Sequence, residues 1–208
     1  MGRYARAMAA IKQGVRTRTA SIEVTDSLVV AALALLEEEG LASLTVRSVA
    51  SRAEVAPMGV YSRFGSKDGL LEALFVHGFH ELEAAIEPPP SPSPISRLRE
   101  GCAGYRKFAI DNPQLYHLMF EQMMLLELSA EAQDAAKRTF VILINRVQDA
   151  MNSGDLTEAN STEVAQQMWS AMHGAVSLEI AGVHFAADRA ANYMAMIDAL
   201  LIGLSQKA

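Results

Sequence analysis

The sequence predicts an all-α protein in which three short N-terminal helices lead through a longer helix into a larger helical body. Half of the 208 residues are hydrophobic, with many Ala, Leu and Met and few runs of β-branched residues, a composition that favours helices over strands. Apolar positions recur three and four residues apart, which is the periodicity of one helix face. Glycine, proline and capping residues separate these runs and set the helix boundaries.

The first four helices are bounded by residues that cap or stop a helix. A side-chain oxygen before the first turn accepts a hydrogen bond from an early backbone N–H, and glycine ends a helix in a left-handed conformation. Proline fits the first turn of the third helix, predicted over Pro57–Phe64, because the N–H it lacks has no intrahelical partner there. The fourth helix is predicted over about 67–86. The expected caps and stops are Thr25 or Asp26, Gly40, Thr45 and Ser66.

Five more helices are predicted after a proline-rich segment at 88–94. Proline cannot continue a helix, so this segment is expected to be an extended, exposed connector. Asn112, which precedes a proline, is expected to cap one of the later helices, and Asp188 is expected to open the last one. The five helices are predicted at about 95–110, 113–127, 130–152, 161–181 and 188–205.

Charge is unevenly distributed along the chain. The net charge is −6, but residues 1–70 carry +2 and residues 71–208 carry −8. Residues 1–24 show no clean period, and residues 1–21 contain five basic and no acidic side chains. We therefore expect a mobile basic arm over residues 1–24. A basic head and an acidic body favour an approach to phosphates through the head.

Residues 28–74 have the layout of a helix-turn-helix DNA-binding unit. In such a unit one short helix enters the major groove of duplex DNA while a second helix supports it, and Ala50 and Ala53 are small enough for a close crossing. The third helix has an apolar back that includes Val60 and an outer face free to touch DNA. Helix N-termini and basic groups bind phosphates. The candidate DNA-binding residues are Thr45, Arg47, Ala56, Pro57, Met58, Gly59, Tyr61, Ser62 and Lys67.

The outer face of the third helix is poor in hydrogen-bonding side chains at its start. Pro57, Met58 and Gly59 can contact thymine methyl groups or admit the backbone, but they cannot make bidentate contacts to a base. Tyr61 and Ser62 can donate to a phosphate or a base edge. The alternative is an ordinary three-helix cluster, since short helix-turn-helix patterns have low specificity.

Residues 25–75 resemble the N-terminal domain of the TetR (tetracycline-repressor-like) transcriptional regulators. The stretches that match are Ala31-Ala32-Leu33, Gly40, Leu44-Thr45-Val46-Arg47-Ser48-Val49-Ala50, Val55, Val60-Tyr61-x-x-Phe64-Gly65-Ser66-Lys67 and Leu70-Leu71. The C-terminal half is similar to a branch of that family whose regulatory domain carries a Trp-His-Gly signature, here Trp169, His173 and Gly174. The resemblance implies a helix-turn-helix domain over 25–66 and an effector-binding and dimerisation domain, a helical bundle, over 67–208.

Two residues depart from the family pattern. Glu54 stands where glycine is usual, so it must take up the turn without the conformational freedom of glycine. Ala56 stands where a serine-like cap is usual, and an alanine there loses about 1 kcal/mol of capping stabilisation.

The resemblance implies that the C-terminal half binds a small, largely apolar effector. Trp169 and His173 are four residues apart and therefore share a helix face, and Gly174 beside them permits a close helix approach. Methionine side chains adapt to ligands of different shape, although a stripe of methionines and aromatics is also typical of a plain core. The candidate ligand-binding residues are His77, Tyr105, Phe108, Met119, Phe120, Met123, Trp169 and His173.

A homodimer is also implied by the resemblance. The last two helices are apolar on more than one face, whereas a helix on a monomer buries a single stripe. The excess indicates a four-helix interface between two copies related by a two-fold axis, with a large intrachain core as the alternative. The candidate interface residues are Met172, Val176, Met194, Ile197 and Leu201.

Several other properties are not expected. The apolar runs are too short to span a bilayer, no secretory signal is evident, and Cys102 is the single cysteine, so neither a disulfide within the chain nor a thiolate cluster can form. His77 and His80 have a usable ligand spacing, but no carboxylate or thiolate set completes a metal site. We therefore expect a cytoplasmic protein without cofactor, bound metal or membrane association.

The leading hypothesis is a transcriptional regulator, a repressor by family default, that binds a near-palindromic site on double-stranded DNA as a homodimer and is released by a small effector. The alternatives are a helical small-molecule-binding protein or an enzyme without DNA binding. The sequence lacks a glycine-rich phosphate loop, a nucleophile elbow and a metal-ligand set, so an enzyme is disfavoured. A helical adaptor that binds another protein through the Met-rich body is a third reading.

Overall fold

A computed structural model describes residues 24–87, 93–122 and 128–205, and over these residues the chain is helical with no strand. The all-α prediction is confirmed. No helix in these three ranges is long and apolar enough to cross a membrane. The helices are α1 (24–39), α2 (Val46–Arg52), α3 (Pro57–Phe64), α4 (Lys67–Ile86), α5 (Pro94–Asp111), α6 (Pro113–His117), α7 (Ala130–Asn152), α8 (Ser161–Ile180) and α9 (Arg189–Ser205). A 3-10 turn spans Leu41–Ser43, and a π-helical turn, Leu118–Gln122, continues α6.

The chain divides into two compact units between Leu74 and Phe75. The predicted boundary at 66/67 falls earlier, because the first two turns of α4 belong to the first unit. Their side chains Leu70 and Leu74 are fully buried. Helix α4 itself is continuous over 20 residues, so one helix is shared between the two units.

Three of the predicted helix caps are confirmed. The Thr45 hydroxyl accepts a hydrogen bond from the backbone N–H of Ser48, and the Ser48 hydroxyl accepts one from the backbone N–H of Thr45, which is a reciprocal capping box. Ser66 Oγ accepts from Gly69 N at 3.1 Å, and Asp188 Oδ1 accepts from Ala191 N at 2.9 Å. These local bonds fix where α2, α4 and α9 begin.

Two predicted caps are wrong. Residue 24 is already helical, so Thr25 and Asp26 lie inside α1. Asn112 makes no side-chain cap for α6, because its amide donates instead to the Phe108 carbonyl at 2.9 Å and closes the end of α5. The predicted basic arm, most of the proline-rich connector and the predicted helical residues 123–127 lie outside the described residues.

Helix α7 packs against α5 and α8 in the second unit, and α9 packs against α5 and α8. Arg106 on α5 donates two hydrogen bonds, of 3.0 and 2.6 Å, to the Glu179 carboxylate on α8. Arg99 makes a similar bidentate contact to Asp198 on α9. The Tyr193 hydroxyl on α9 donates to a backbone carbonyl of α5 at 2.9 Å. Polar bonds at the edge of the apolar core thus fix the orientation of α8 and α9 on α5.

The core of the second unit contains four of the five predicted interface residues. Met172, Val176, Ile197 and Leu201 are at most 7% exposed within a single chain, and Met194 is half-buried. A side chain that its own chain buries offers no surface to a second copy, so the interface assignment of these four residues is wrong. Apolar residues of α8 and α9 that could contact a second copy must therefore lie on the exposed faces of these helices.

Helices α4 and α5 approach each other closely enough for backbone contact. A Cβ added to Gly104 would collide with the Ala85 carbonyl oxygen, and one added to Gly101 would lie 3.1 Å from the Ile86 carbonyl oxygen. Glycine is therefore required at Gly104, because any side chain would push the last turn of α4 away from α5.

We expect Gly104→Ala to lower the free energy of unfolding by roughly 1–3 kcal/mol, the usual cost of overpacking, in urea unfolding followed by circular dichroism. Gly203→Ala in α9 is the matched control, because a Cβ there meets no atom within 4 Å and alanine is the better helix former. Equal stability of the two variants would contradict the close crossing.

Candidate functional sites

The turn between α2 and α3 has the geometry of a helix-turn-helix. Ala50 is fully buried where the two helices meet, and its carbonyl accepts a hydrogen bond from Val55 N at 2.9 Å. Glu54 adopts a left-handed conformation with φ 56°, as the departure from glycine predicted. Ala56 precedes α3 and makes no side-chain cap. Backbone hydrogen bonds thus close the turn, although Glu54 lacks the conformational freedom of glycine and Ala56 cannot cap α3.

Helix α3 presents one face to solvent and buries the other. Val60 is fully buried, whereas Met58 is 72% and Tyr61 50% exposed. Ala56, Pro57 and Ser62 are also exposed, and Gly59 is half-buried. Exposure of large apolar and aromatic side chains on one short helix is typical of a binding surface.

Two cations on the neighbouring helices make no ion pair to any described residue. Arg47 on α2 and Lys67, the first residue of α4, are both exposed. Arg63 differs, since it is half-buried, its Nη1 donates to the Gly59 carbonyl at 3.2 Å and its Nε has no partner among described residues. Arg47 and Lys67 are therefore accessible to anions, and their assignment to DNA binding stays a prediction, while Arg63 lies back along α3.

The second unit contains an apolar cavity of about 180 Å³. Its wall is built from stripes of residues that follow one another along single helix faces. The lining residues are Phe75, Phe79, Leu82 and Ile86 from α4, Leu98, Gly101, Cys102 and Tyr105 from α5, Met119 and Phe120 from the π-helical turn, Ala136, Thr139, Phe140, Ile142, Leu143 and Arg146 from α7, and Trp169 and Met172 from α8.

Half of the predicted ligand-binding residues line this cavity. Tyr105, Met119, Phe120 and Trp169 do so, whereas His77, Phe108 and His173 are not among its lining residues and Met123 lies outside the described residues. His77 is half-buried on α4 and Phe108 lies in the core. The α4 and α7 stripes were not predicted, although their spacing of three and four residues is visible in the sequence.

A hydrogen-bonded cluster borders the cavity at Tyr105 and Trp169. Trp169 Nε1 donates to Tyr105 Oη at 3.3 Å, Tyr105 Oη lies 2.7 Å from Tyr116 Oη, and Tyr116 Oη lies 2.6 Å from His173 Nδ1. Burial lowers the pKa of His173, which favours the neutral ring, and burial raises the pKa of Tyr105 to about 12. The cluster therefore stays uncharged at neutral pH and offers hydroxyl, indole and imidazole groups.

Two other polar groups in the wall were missed at the sequence level. Burial raises the pKa of the Cys102 thiol to about 12, so it is a neutral thiol at pH 7. Arg146 is only 9% exposed, and burial lowers the pKa of its guanidinium. A cation among the apolar residues of α7 is the signal that could have identified it.

Met119 rests against the backbone of Gly78. A Cβ at Gly78 would lie 2.5 Å from the Met119 sulfur, so the glycine makes room for a flexible side chain in the cavity wall. The space around Gly174 is open: no described residue comes within 4 Å of a Cβ there, so the close approach predicted at Gly174 does not occur within the described part of the chain. Among the described residues, no group of three or more potential ligands could hold a metal ion.

The sequence matches two described families. Residues 28–74 match the bacterial regulatory proteins of the tetR family, and residues 98–200 match the tetracyclin repressor-like C-terminal domain. Together the two stretches cover well over half of the chain.

Relatives and solved structures agree with this match. The HTH-type transcriptional repressor KstR of Rhodococcus jostii (strain RHA1) is 26% identical over 133 residues, 64% of this chain and 59% of that protein. The HTH-type transcriptional regulator BetI of Burkholderia thailandensis is 41% identical over 75 residues, 35% of this chain and 38% of that protein. The chain thus spans less than two thirds of the length of these relatives. A solved structure of a protein with unknown function from Rhodococcus sp. RHA1 shares the fold, with a TM-score of 0.81 at 24% identity over 88% of this chain and 96% of that chain.

We expect Glu54→Gly to stabilise the protein by up to about 1.5 kcal/mol. Glycine removes a left-handed penalty of roughly 1–2 kcal/mol but loses about 0.5–1 kcal/mol through its freer unfolded state. Glu54→Ala is the control, because it removes the same carboxylate and keeps the strained backbone. Urea unfolding separates the two, and an equal gain in both variants would show that charge, and not backbone strain, limits stability at this turn.

Proposed function

Because the chain belongs to the TetR family of bacterial regulatory proteins, we propose that it is a DNA-binding transcriptional repressor and not an enzyme. The observation that carries the proposal is the outward face of α3, where Met58 and Tyr61 stand free of the chain's own core. Relatives whose names record a transcriptional repressor and a transcriptional regulator support it. A protein that binds the chromosome of a bacterium acts in the cytoplasm, so a cytoplasmic location is part of the proposal.

Helix α3 is proposed to enter the major groove of double-stranded DNA. Pro57, Met58 and Gly59 then contact thymine methyl groups, and Tyr61 and Ser62 donate to phosphates or base edges. The Ser62 hydroxyl already bonds the Gly59 carbonyl at 3.1 Å, so it must exchange that bond for one to DNA. Thr45, Arg47 and Lys67 contact phosphates at the N-termini of α2 and α4.

Two copies are proposed to bind the two halves of a near-palindrome about 34–36 Å apart. The exposed face of α8 and α9 is the candidate interface. It combines Leu178, 54% exposed, and Ile202, 58% exposed, with Gly174, whose surroundings are open within one chain. Small and apolar residues on two neighbouring helices suit a four-helix contact between identical chains.

A small, largely apolar effector is proposed to occupy the cavity and release the repressor. Helix α4 supports this link, because its first turns carry Lys67 and its later turns carry Phe75, Phe79, Leu82 and Ile86 in the cavity wall. A ligand that binds the cavity more tightly when α4 is in one position than in another shifts the equilibrium between the DNA-binding and released conformations. The typical coupling free energy is about 1–3 kcal/mol.

We expect Lys67→Ala and Arg47→Ala to weaken binding to the DNA upstream of the protein's own gene. Each substitution removes a phosphate contact, so each lowers the slope of log affinity against log salt by about 1. Fluorescence anisotropy with labelled duplexes at several salt concentrations measures both effects. Lys137→Ala on α7 is the matched control, since it removes an exposed cation far along the chain from α2–α4 and leaves affinity and slope unchanged. Equal losses of affinity in all three variants would show that net charge alone causes the effect. Wild-type protein that binds all duplexes equally well would contradict the proposal.

Leu178→Glu is expected to convert the dimer to a monomer, because it places a carboxylate in an apolar contact. Light scattering after size exclusion then gives the mass of one chain, where the wild type gives twice that mass, and operator affinity falls with it. Val141→Glu is the control, since Val141 is similarly exposed (47%) but lies on α7. A monomeric wild type would overturn the two-copy proposal, as would a Leu178→Glu variant that remains dimeric.

A further inference from the structure

We propose that the cavity binds a monocarboxylate with a compact apolar body, and that Arg146 holds the carboxylate. This inference rests on the proposed function, since it names the chemical class of the effector. It comes from one buried cation in an apolar wall, for which the fold supplies no counter-ion among the described residues.

Arg146 on α7 lies against α5. A Cβ added to Gly101 would lie 2.5 Å from Arg146 Nη1, so a glycine on α5 leaves the space that the guanidinium fills. Nη1 donates to the Arg97 carbonyl at 3.4 Å, and this is the hydrogen bond that the guanidinium makes to the described part of the chain. A guanidinium has five N–H donors, and this bond uses one of them, so donors remain to which a ligand carboxylate can bind.

The nearby carboxylates do not form an ion pair with Arg146. Glu87 and Asp149 both raise its pKa by electrostatic attraction while Arg97 lowers it, but neither carboxylate lies within 4.0 Å of Arg146. Asp149 is instead 4.0 Å from Arg97, and Glu87 is exposed at the end of α4. Burying a charge without a partner is costly, and a ligand carboxylate in the cavity offsets that cost by forming a bidentate pair.

The rest of the wall fits an apolar body. Arg146 and Phe140 are six residues apart on α7, about 9 Å along the helix axis, and the Phe140 ring lies 5.9 Å from the Trp169 ring. Most of the other lining residues are aliphatic or aromatic. The volume of about 180 Å³ is similar to that of cavities that hold benzene, roughly 150 Å³. A ligand with one charged end and a short chain or single ring matches both features.

The test compares octanoate with octan-1-ol, which has the same chain without the charge. Trp169 lines the cavity and is the single tryptophan, so its fluorescence reports occupancy, and calorimetry gives the dissociation constants. We expect the wild type to bind octanoate on the order of 10- to 100-fold more tightly than the alcohol, as hydrogen bonds to a charged group provide. Arg146→Met should abolish this preference, Arg146→Lys should retain part of it, and Lys137→Met, which removes an exposed cation of the same helix, should leave it unchanged.

Equal affinity of the wild type for the two probes, or binding of neither, overturns the inference. A preference for octanoate that survives in Arg146→Met also overturns it, because another group would then bind the carboxylate. Should Arg146→Met not fold, the wild-type comparison and Arg146→Lys still decide. Operator binding is measured separately on the same proteins. Loss of the octanoate preference with intact operator binding refutes the ligand class alone, whereas octanoate preference without operator binding refutes the regulatory role alone.

Discussion

The close crossing of α4 over α5 at Gly101 and Gly104 is the constraint on which the second unit depends. It brings the last turn of α4 within backbone distance of α5, so there is no room for a side chain at Gly104. Gly101 also leaves room for the Arg146 guanidinium of α7. Because α4 continues without a break from Lys67, the crossing also fixes the far end of the helix that begins beside α3.

The polar groups at the cavity fall into two sets. Tyrosine hydroxyls, an indole and a neutral imidazole are hydrogen-bonded to one another at 2.6 to 3.3 Å. The Arg146 guanidinium makes one hydrogen bond to the described part of the chain, at 3.4 Å. This difference matters because a completed network stabilises the fold by itself, whereas an incomplete one is better explained by a partner from outside the chain.

Features that depend on neighbouring residues could be predicted from the sequence, and features that depend on tertiary packing could not. The caps at Thr45, Ser66 and Asp188 follow from bonds over three residues, and the strained turn at Glu54 follows from its position. The interface assignment failed at Met172 and Val176, because an apolar pattern does not tell which of two apolar stripes faces the core. For the same reason His77 was predicted in the cavity, which it does not line, and Arg146 was missed. The rotation of each helix about its own axis decides which of its residues point inward, and the sequence does not give that rotation.

The contact of Met119 with Gly78 has a consequence for how the proposed effector would be selected. A thioether chain with three rotatable bonds forms that part of the wall, and it can swing aside for a bulkier guest or close over a slimmer one. The thickness of a ligand is therefore a poor criterion for selecting the proposed effector, and compounds of similar polarity but different thickness should compete with one another. Selectivity has to come from groups that cannot relax, so a single substitution among the few polar side chains would change the range of compounds recognised far more than several substitutions among the aliphatic ones.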